Sequence, residues 1–290
     1  MWEPPLSSDN QIHDERPFGF FKPSKLLIKL LKLTQTMPTS WLGKRCAFAL
    51  RRLGLVLLKG QSTDVERFGV RFRLFPYQNV CEKRILFTPQ YFDAVERSLI
   101  AARVVEGYRF IDIGANIGAY ALFVASLAGS RAKIIAVEPQ PDIFDRLAAN
   151  IAFNPFGTVK AMACAISDRA GELTLFIDPK NKGESSVKII GSSQTESIRV
   201  PAMTLLELMK QEEMSGLEGI KLDVEGAEDL ILVPFLNEAP QDLWPKLIIL
   251  EDGSGRWQTD LNALLIEKGY RLLERTRLNF VYEIVKGDTK

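Results

Sequence analysis

The sequence predicts an α/β fold built on a doubly wound, mostly parallel sheet. Three observations predict it: short apolar runs alternate with amphipathic stretches, a glycine-bearing loop follows the first run of the series, and an acid ends the second. Strand-length runs separated by helical stretches build βαβ units, whose strands are parallel because each crossover helix returns the chain to the same end of the sheet. Five runs are strand candidates: RFIDIG, KIIAVEP, VKAMACAI, IKLDVEG and KLIILED. Helical patterns over 117–128 and 141–153 join the first three.

The flanking segments obey the same patterns. The C-terminal GYRLLERTRLNFVYEIVK reads as two adjacent strands with a short turn, which closes the parallel core with a late antiparallel strand. Residues 65–75 alternate like a strand pair at an edge, and 91–105 read as a helix. Residues 24–59 hold two helices separated by Met37-Pro38-Thr39-Ser40, with Ser40 a cap for the second. In the first, Leu26, Leu27, Leu30 and Leu31 recur at helical spacing while Lys22, Lys25, Lys29 and Lys32 line another face. The expected organisation is a disordered polar tail over 1–20, a basic amphipathic helical extension over 21–63, and a catalytic domain over 64–290.

Composition narrows the function. The chain has 290 residues, 46% hydrophobic and 25% charged, with a net charge of +1, values typical of a globular protein. The near-neutral sum hides segregation: residues 16–63 carry ten bases and no acid, while the rest of the chain is acidic. The only histidine is His13, in the tail, so Ser/His/Asp triads, Cys/His dyads and histidine zinc sites are excluded from the core. Cys46, Cys81 and Cys164 are far apart and odd in number, which argues against a disulfide framework or zinc site and for a reducing compartment. The N-terminus does not read as a secretory signal, and no apolar run is long enough to span a bilayer. A cytoplasmic protein is expected. The basic extension at 22–59 offers peripheral contact with an anionic membrane, or else caps the core through its leucine face.

The first strand runs into Asp112-Ile-Gly114-Ala-Asn116-Ile-Gly118, and a helix comes next. Glycines let the chain turn so that backbone N–H groups face a ligand. The spacing is neither that of a dinucleotide loop nor that of a P-loop. Asp112, just before the loop, repels a pyrophosphate but accepts hydrogen bonds from an ammonium group. Glu138 ends the second strand, where a doubly wound fold places the carboxylate that grips ribose hydroxyls. The two acids together suit an adenosyl ligand with a cationic amino-acid tail, as in S-adenosylmethionine.

The blocks FIDIGANIGAYALFVA, AVEPQPDIFDRLAANIAFN, AISDRAGELTL and IKLDVEGAEDLIL resemble those of the FkbM-type methyltransferases, in that family's order, over about residues 70–285. The resemblance implies a class I, Rossmann-like S-adenosylmethionine-dependent fold and O-methylation of a hydroxyl on a sugar, glycan or natural product. It assigns Asp112, Gly114, Asn116 and Gly118 to the methionine part, Glu138 to the ribose and Asp168 to the adenine amino group, unless Asp168 caps the Arg169–Gly171 turn. Asp223 and Glu225 end the fourth strand beside the cofactor, with Val224 turned away by strand alternation; Glu251 and Asp252 end the fifth. Asp223 is the expected general base and Glu225 orients the acceptor. Mg²⁺ held by converging carboxylates is the less favoured arrangement. Glu228 and Asp229 read only as acids beginning the next helix. Asn79–Arg84 is a candidate lid, in which Lys83 and Arg84 either bind an anionic acceptor or form a solvated charge cluster. Two departures from the family pattern, Thr204-Leu205-Leu206 without its usual Asp and the loop Glu251–Trp257, bear on the acceptor.

The rival readings are weaker. A nicotinamide oxidoreductase favours G-x-G-x-x-G. A nucleic-acid methyltransferase favours Pro-Pro-aromatic or a catalytic cysteine where this chain has Asp-Val-Glu-Gly, and an acidic core suits phosphate backbones poorly. A catalytically inactive partner-binding scaffold is disfavoured by the intact Asp112, Gly114, Gly118 and Glu138. A small molecule or glycan is the expected partner.

Overall fold

The structure, a computed structural model, describes residues 16–177, 185–186 and 196–285. The chain opens with α1 (Lys25–Gln35) and α2 (Trp41–Leu58), each capped by a serine: Ser24 accepts from the Leu27 amide and Ser40 from the Gly43 amide. Two strands come next, β1 (Thr63–Arg67) and β2 (Val70–Leu74). They form an antiparallel hairpin closed by Phe68 and Gly69, both at positive φ, the turn geometry that matches strand twist. The hairpin is a sheet of its own and not the edge of the main one.

Helices α3 (Val80–Phe87) and α4 (Ala94–Ala101) lead into the core. There β3 (Arg109–Ile113), α5 (Ala119–Ala128), β4 (Lys133–Val137), α6 (Pro141–Ala152) and β5 (Val159–Met162) form two successive βαβ units. The run VKAMACAI, expected as one strand, breaks: β6 (Ala165–Ile166) leaves the main sheet to pair with β9 (Glu196–Met203). With β7 (Gly171–Ile177) and β8 (Ser185–Ser186) these make a second sheet in the order β6-β9-β7-β8. The chain then runs through α7 (Leu205–Gln211), β10 (Leu217–Leu222), α8 (Glu228–Glu238), β11 (Pro245–Glu251), α9 (Leu261–Glu267), β12 (Tyr270–Arg275) and β13 (Asn279–Ile284).

The main sheet has the order β12-β13-β11-β10-β3-β4-β5. All neighbouring pairs are parallel except those of β13, which runs antiparallel between β11 and β12. This is the expected doubly wound sheet with its late antiparallel strand. The strand order reverses between β3 and β10. The carboxyl ends of those two strands therefore diverge into loops that frame a crevice, the place where such sheets bind ligands.

One side of the sheet buries Phe110, Ile134 and Ile249 against α5, α6 and the N-terminal elements; the other buries Ile111, Ile220 and Ile248 against α7, α8 and α9. Leu27, Leu30 and Leu31 of α1 join the first core, so the leucine face packs on the core as a cap; Leu26 is exposed. The expected tail boundary moves. Residues 1–15 lie outside the described ones, but from Arg16 the chain is tied down. The buried Asp64–Arg73 pair does this: the Asp64 carboxylate accepts from the Gly19 and Phe21 amides, and Arg73 donates to the Arg16 and Pro17 carbonyls. A charge pair buried this deeply needs those extra hydrogen bonds to offset its desolvation.

Candidate active site

The crevice at the switch point holds a cavity of about 310 Å³, within the range of small-molecule sites. Its floor is the loop after β3. Gly114 adopts φ +73°, and a Cβ there would lie 1.9 Å from the Asp223 carbonyl oxygen. Only glycine lets the loops of β3 and β10 pass this closely. Asn116, also left-handed, caps its own turn by accepting from the Ile117 amide, and its Oδ1 accepts a second hydrogen bond from Asn79 Nδ2. Asn79 in turn caps α3 through the Cys81 and Glu82 amides. The segment expected as a lid thus forms the cavity's roof, with Asn79, Val80, Cys81 and Arg84 facing in. Lys83 is not part of the lining, and Arg84 is engaged by Asp93 at 3.0 Å. The roof is anchored from behind by the fully buried Glu82, paired with Arg146 of α6 at 2.7 Å.

Glu138 reaches the cavity from the end of β4. Its two oxygens accept from the Asn116 amide at 2.9 Å and the Gln140 amide at 3.0 Å. Burial pushes its pKa up to about 7 against those two hydrogen bonds. Three expected cofactor contacts are placed differently. Asp112 is fully buried beneath the loop and does not line the cavity; one oxygen accepts from the Ala121 amide of α5, and the other has no partner among the described residues. Burial pushes it up to about 6, although the Lys221 charge opposes this. Gly118 also lies away from the cavity. It takes φ +88° at the start of α5, where a Cβ would come within 2.7 Å of Leu147. Asp168 is exposed, bonded to the Ser167 hydroxyl, because the chain turns outward after β6. The cavity wall there is apolar instead: Cys164, Ala165, Ile166 and Leu175.

The far side is built from the loops after β10 and β11. Strand β10 ends at Leu222, so strand alternation does not extend into the loop, and Asp223, Val224 and Glu225 all line the cavity. Glu225 takes φ +55°, a conformation that costs a branched or bulky side chain about 1 kcal/mol or more and marks functional turns. One oxygen each from Asp223, Glu225 and Glu251 lies within 4.8 Å of the others. Two cations meet this cluster. Lys221 Nζ donates to Asp223 at 2.8 Å, and Arg256 reaches Glu225 at 3.1 Å and Glu251 at 3.4 Å. Burial opposes the charge on Lys221, but Asp223 and Asp112 raise its pKa above the ordinary value. Burial, then the facing Asp223, Glu225 and Glu228, push Glu251 up to about 8 against Arg256.

Sequence reasoning missed three residues here. Arg256 was legible only as the one base in Glu251–Trp257. Glu251 stood among the strand-end acids without a role. Glu228, read as a helix-dipole acid, does begin α8, but it is fully buried and organises the site: it accepts from the Val224 and Gly226 amides and from the Trp257 indole at 2.7 Å. Asp229 similarly accepts from the Gln258 amide. The signal was the loop's need for acceptors, which spacing alone does not reveal.

Five carboxylates line the cavity (Asp93, Glu138, Asp223, Glu225 and Glu251) against one guanidinium, Arg84. A glycine loop after the first parallel strand, an acid ending the next, and this strand order define a Rossmann-like methyltransferase fold. Residues 112–272 match the Methyltransferase FkbM domain. The chain belongs to the FkbM methyltransferase family and is a methyltransferase. It is 30% identical over 189 residues to the methyltransferase sdnD of Sordaria araneosa, covering 55% of this chain and 72% of that one. It is 31% identical over 177 residues to the hexuronic acid methyltransferase AglP of Haloferax volcanii, covering 61% of this chain and 68% of that one. The FkbM methyltransferase structure from Methylobacillus flagellatus aligns with 82% of this chain and 60% of its own, at 11% identity and a TM-score of 0.40.

Proposed function

We propose that the protein is an S-adenosylmethionine-dependent O-methyltransferase acting on a hydroxyl of a sugar, glycan or related small molecule. The observation that carries this reading is the lining of the cavity: five carboxyl groups around a glycine loop, with the one lining guanidinium, Arg84, already paired with Asp93. Such a lining offers no unpaired cation to the pyrophosphate of a dinucleotide and many acceptors to hydroxyl and ammonium groups. The residues fit S-adenosylmethionine. Glu138 is positioned for vicinal hydroxyls, the apolar wall of Ala165, Ile166 and Leu175 for a flat ring, and the orphaned Asp112 oxygen beneath the loop adds negative charge under the amino-acid end. When bound, the cofactor supplies a methyl group activated on a sulfonium.

The chain's own residues then have two tasks, orienting the acceptor oxygen and removing its proton. Glu225, fixed by Arg256, orients the acceptor. Asp223, 40% exposed at its side chain and facing the cavity, is the base. Glu251 shares the proton within the same cluster, and its pKa of about 8 matches hydroxyl chemistry near neutral pH. Lys221 and Arg256 already balance part of the cluster's charge, the role a metal ion would otherwise take there. A saccharide acceptor draws support from the hexuronic acid methyltransferase among the relatives.

The test is transfer of labelled methyl from S-adenosylmethionine to neutral saccharides, uronic-acid saccharides and non-sugar metabolites. Label that enters a saccharide as an alkali-stable ether, and is lost with Asp223→Asn, supports the reading. Alkali-labile ester label, or no label in any of the three classes, overturns the hydroxyl acceptor; ether label in a non-sugar metabolite alone overturns the saccharide.

A further inference from the structure

The outward face of α2 is wrong for a helix facing water. A surface helix turns its polar side outward. Here α2 buries Gly43, Ala47, Gly54 and Leu58 and exposes Trp41, Leu42, Phe48, Leu53 and Val56. Trp41 is 70% exposed and Val56 71%. Trp41, Arg45, Phe48, Arg52 and Val56 recur at three- and four-residue spacing and so form one stripe along the helix. Helix α1, packed against α2, also exposes Leu26 and Leu33, with Lys29 between them on one side of that helix. The cations and rings share one layer: the Arg45 guanidinium lies 4.7 Å from the Trp41 ring centre and that of Arg51 4.7 Å from the Phe48 ring.

Charge identifies the occupant. From Arg16 to Thr63 there are ten basic residues and no acid, so two copies of this face would repel one another. A phosphate backbone would meet the cations but leave the apolar side chains in water. Exposed aromatic and aliphatic groups interleaved with Lys and Arg instead match the boundary between lipid headgroups and acyl chains. Among the described residues no helix is long and apolar enough to cross a membrane. We propose that the α1–α2 hairpin docks the protein on an anionic bilayer surface. Helix α3 packs against both α1 and α2 and contributes Val80, Cys81 and Arg84 to the cavity, so one helix separates the docked face from the site.

The test uses the full chain and vesicles of phosphatidylcholine with or without one-quarter phosphatidylglycerol. The wild type sediments with the anionic vesicles at low salt, and 0.5 M salt or omission of the anionic lipid weakens binding by about tenfold or more, since each basic residue at the surface contributes about fivefold. The triple variant Trp41→Ser, Phe48→Ser, Val56→Ser loses binding while keeping its circular dichroism. If that variant does not fold, Arg45→Glu with Arg52→Glu decides through the same loss. A fluorophore on the exposed Cys46 shifts to the blue with anionic vesicles alone. Absence of wild-type binding at low salt overturns the proposal, as does binding that neither set of substitutions weakens. A dimer that the triple variant converts to monomer also overturns it, because the face then belongs to a second copy. Titrating S-adenosylmethionine into the same samples keeps this result separate from the proposed activity.

Discussion

The two halves of the cavity are made from different materials. The β3–β4 half is built by backbone: Gly114 passes under the β10 loop, and Glu138 is fixed by two amides. The β10–β11 half is built by side chains, with Asp223 on Lys221 and with Glu225 and Glu251 on Arg256. A backbone-built half is rigid and tolerates little change. A side-chain-built half can be altered without unfolding the sheet, and under the proposed function that is the half that meets the acceptor.

The largest effect that breaks this contrast comes from Gly114→Ala. Its Cβ would meet backbone at 1.9 Å, so we expect a loss of about 4 kcal/mol or more in denaturant unfolding; a near-neutral result would show that the floor yields. Asp223→Asn is expected to slow methyl transfer roughly a thousandfold, and to lower thermal stability as well, because it removes the nearest counter-charge of the buried Lys221.

The pH dependence sharpens the comparison. Glu138 binds its proton more tightly folded than unfolded, so its contribution to stability is complete below about pH 4.5 and is lost as pH rises through about 7. For the unliganded protein this is about 3 kcal/mol, and Glu138→Gln removes it. On the other half, kcat/KM rises with pH through the Glu251 value of about 8. Arg256→Gln removes an opposing positive charge and moves that rise to higher pH, with about a tenfold increase in acceptor KM. The smallest effect is that of a chelator, which should change the rate less than twofold.

The same contrast explains what the sequence disclosed. The β3 loop and Glu138 were legible because backbone demands leave fixed traces: glycine where φ is positive, an acid where a parallel strand ends. The main sheet and its late antiparallel strand were legible from apolar periodicity. The second sheet was not, although Leu173 and Leu175 alternate in β7, because the break after Met162 diverts β6 from the series. Asp168 was misplaced because its proximity to a strand end says nothing about which way the turn carries it. Arg256, Glu251 and the clamp made by Glu228 depend on contacts between residues 2 to 31 positions apart, in a loop that follows no periodic pattern.

The most direct test is calorimetric titration of S-adenosylmethionine into the wild type, Glu138→Ala and Asp223→Asn. The wild type and Asp223→Asn should bind about one equivalent with affinities within about threefold, and Glu138→Ala should weaken binding by at least tenfold, the loss of hydrogen bonds to a buried charged group. No binding by the wild type, or equal losses in the two variants, would contradict a cofactor half and an acceptor half that work separately.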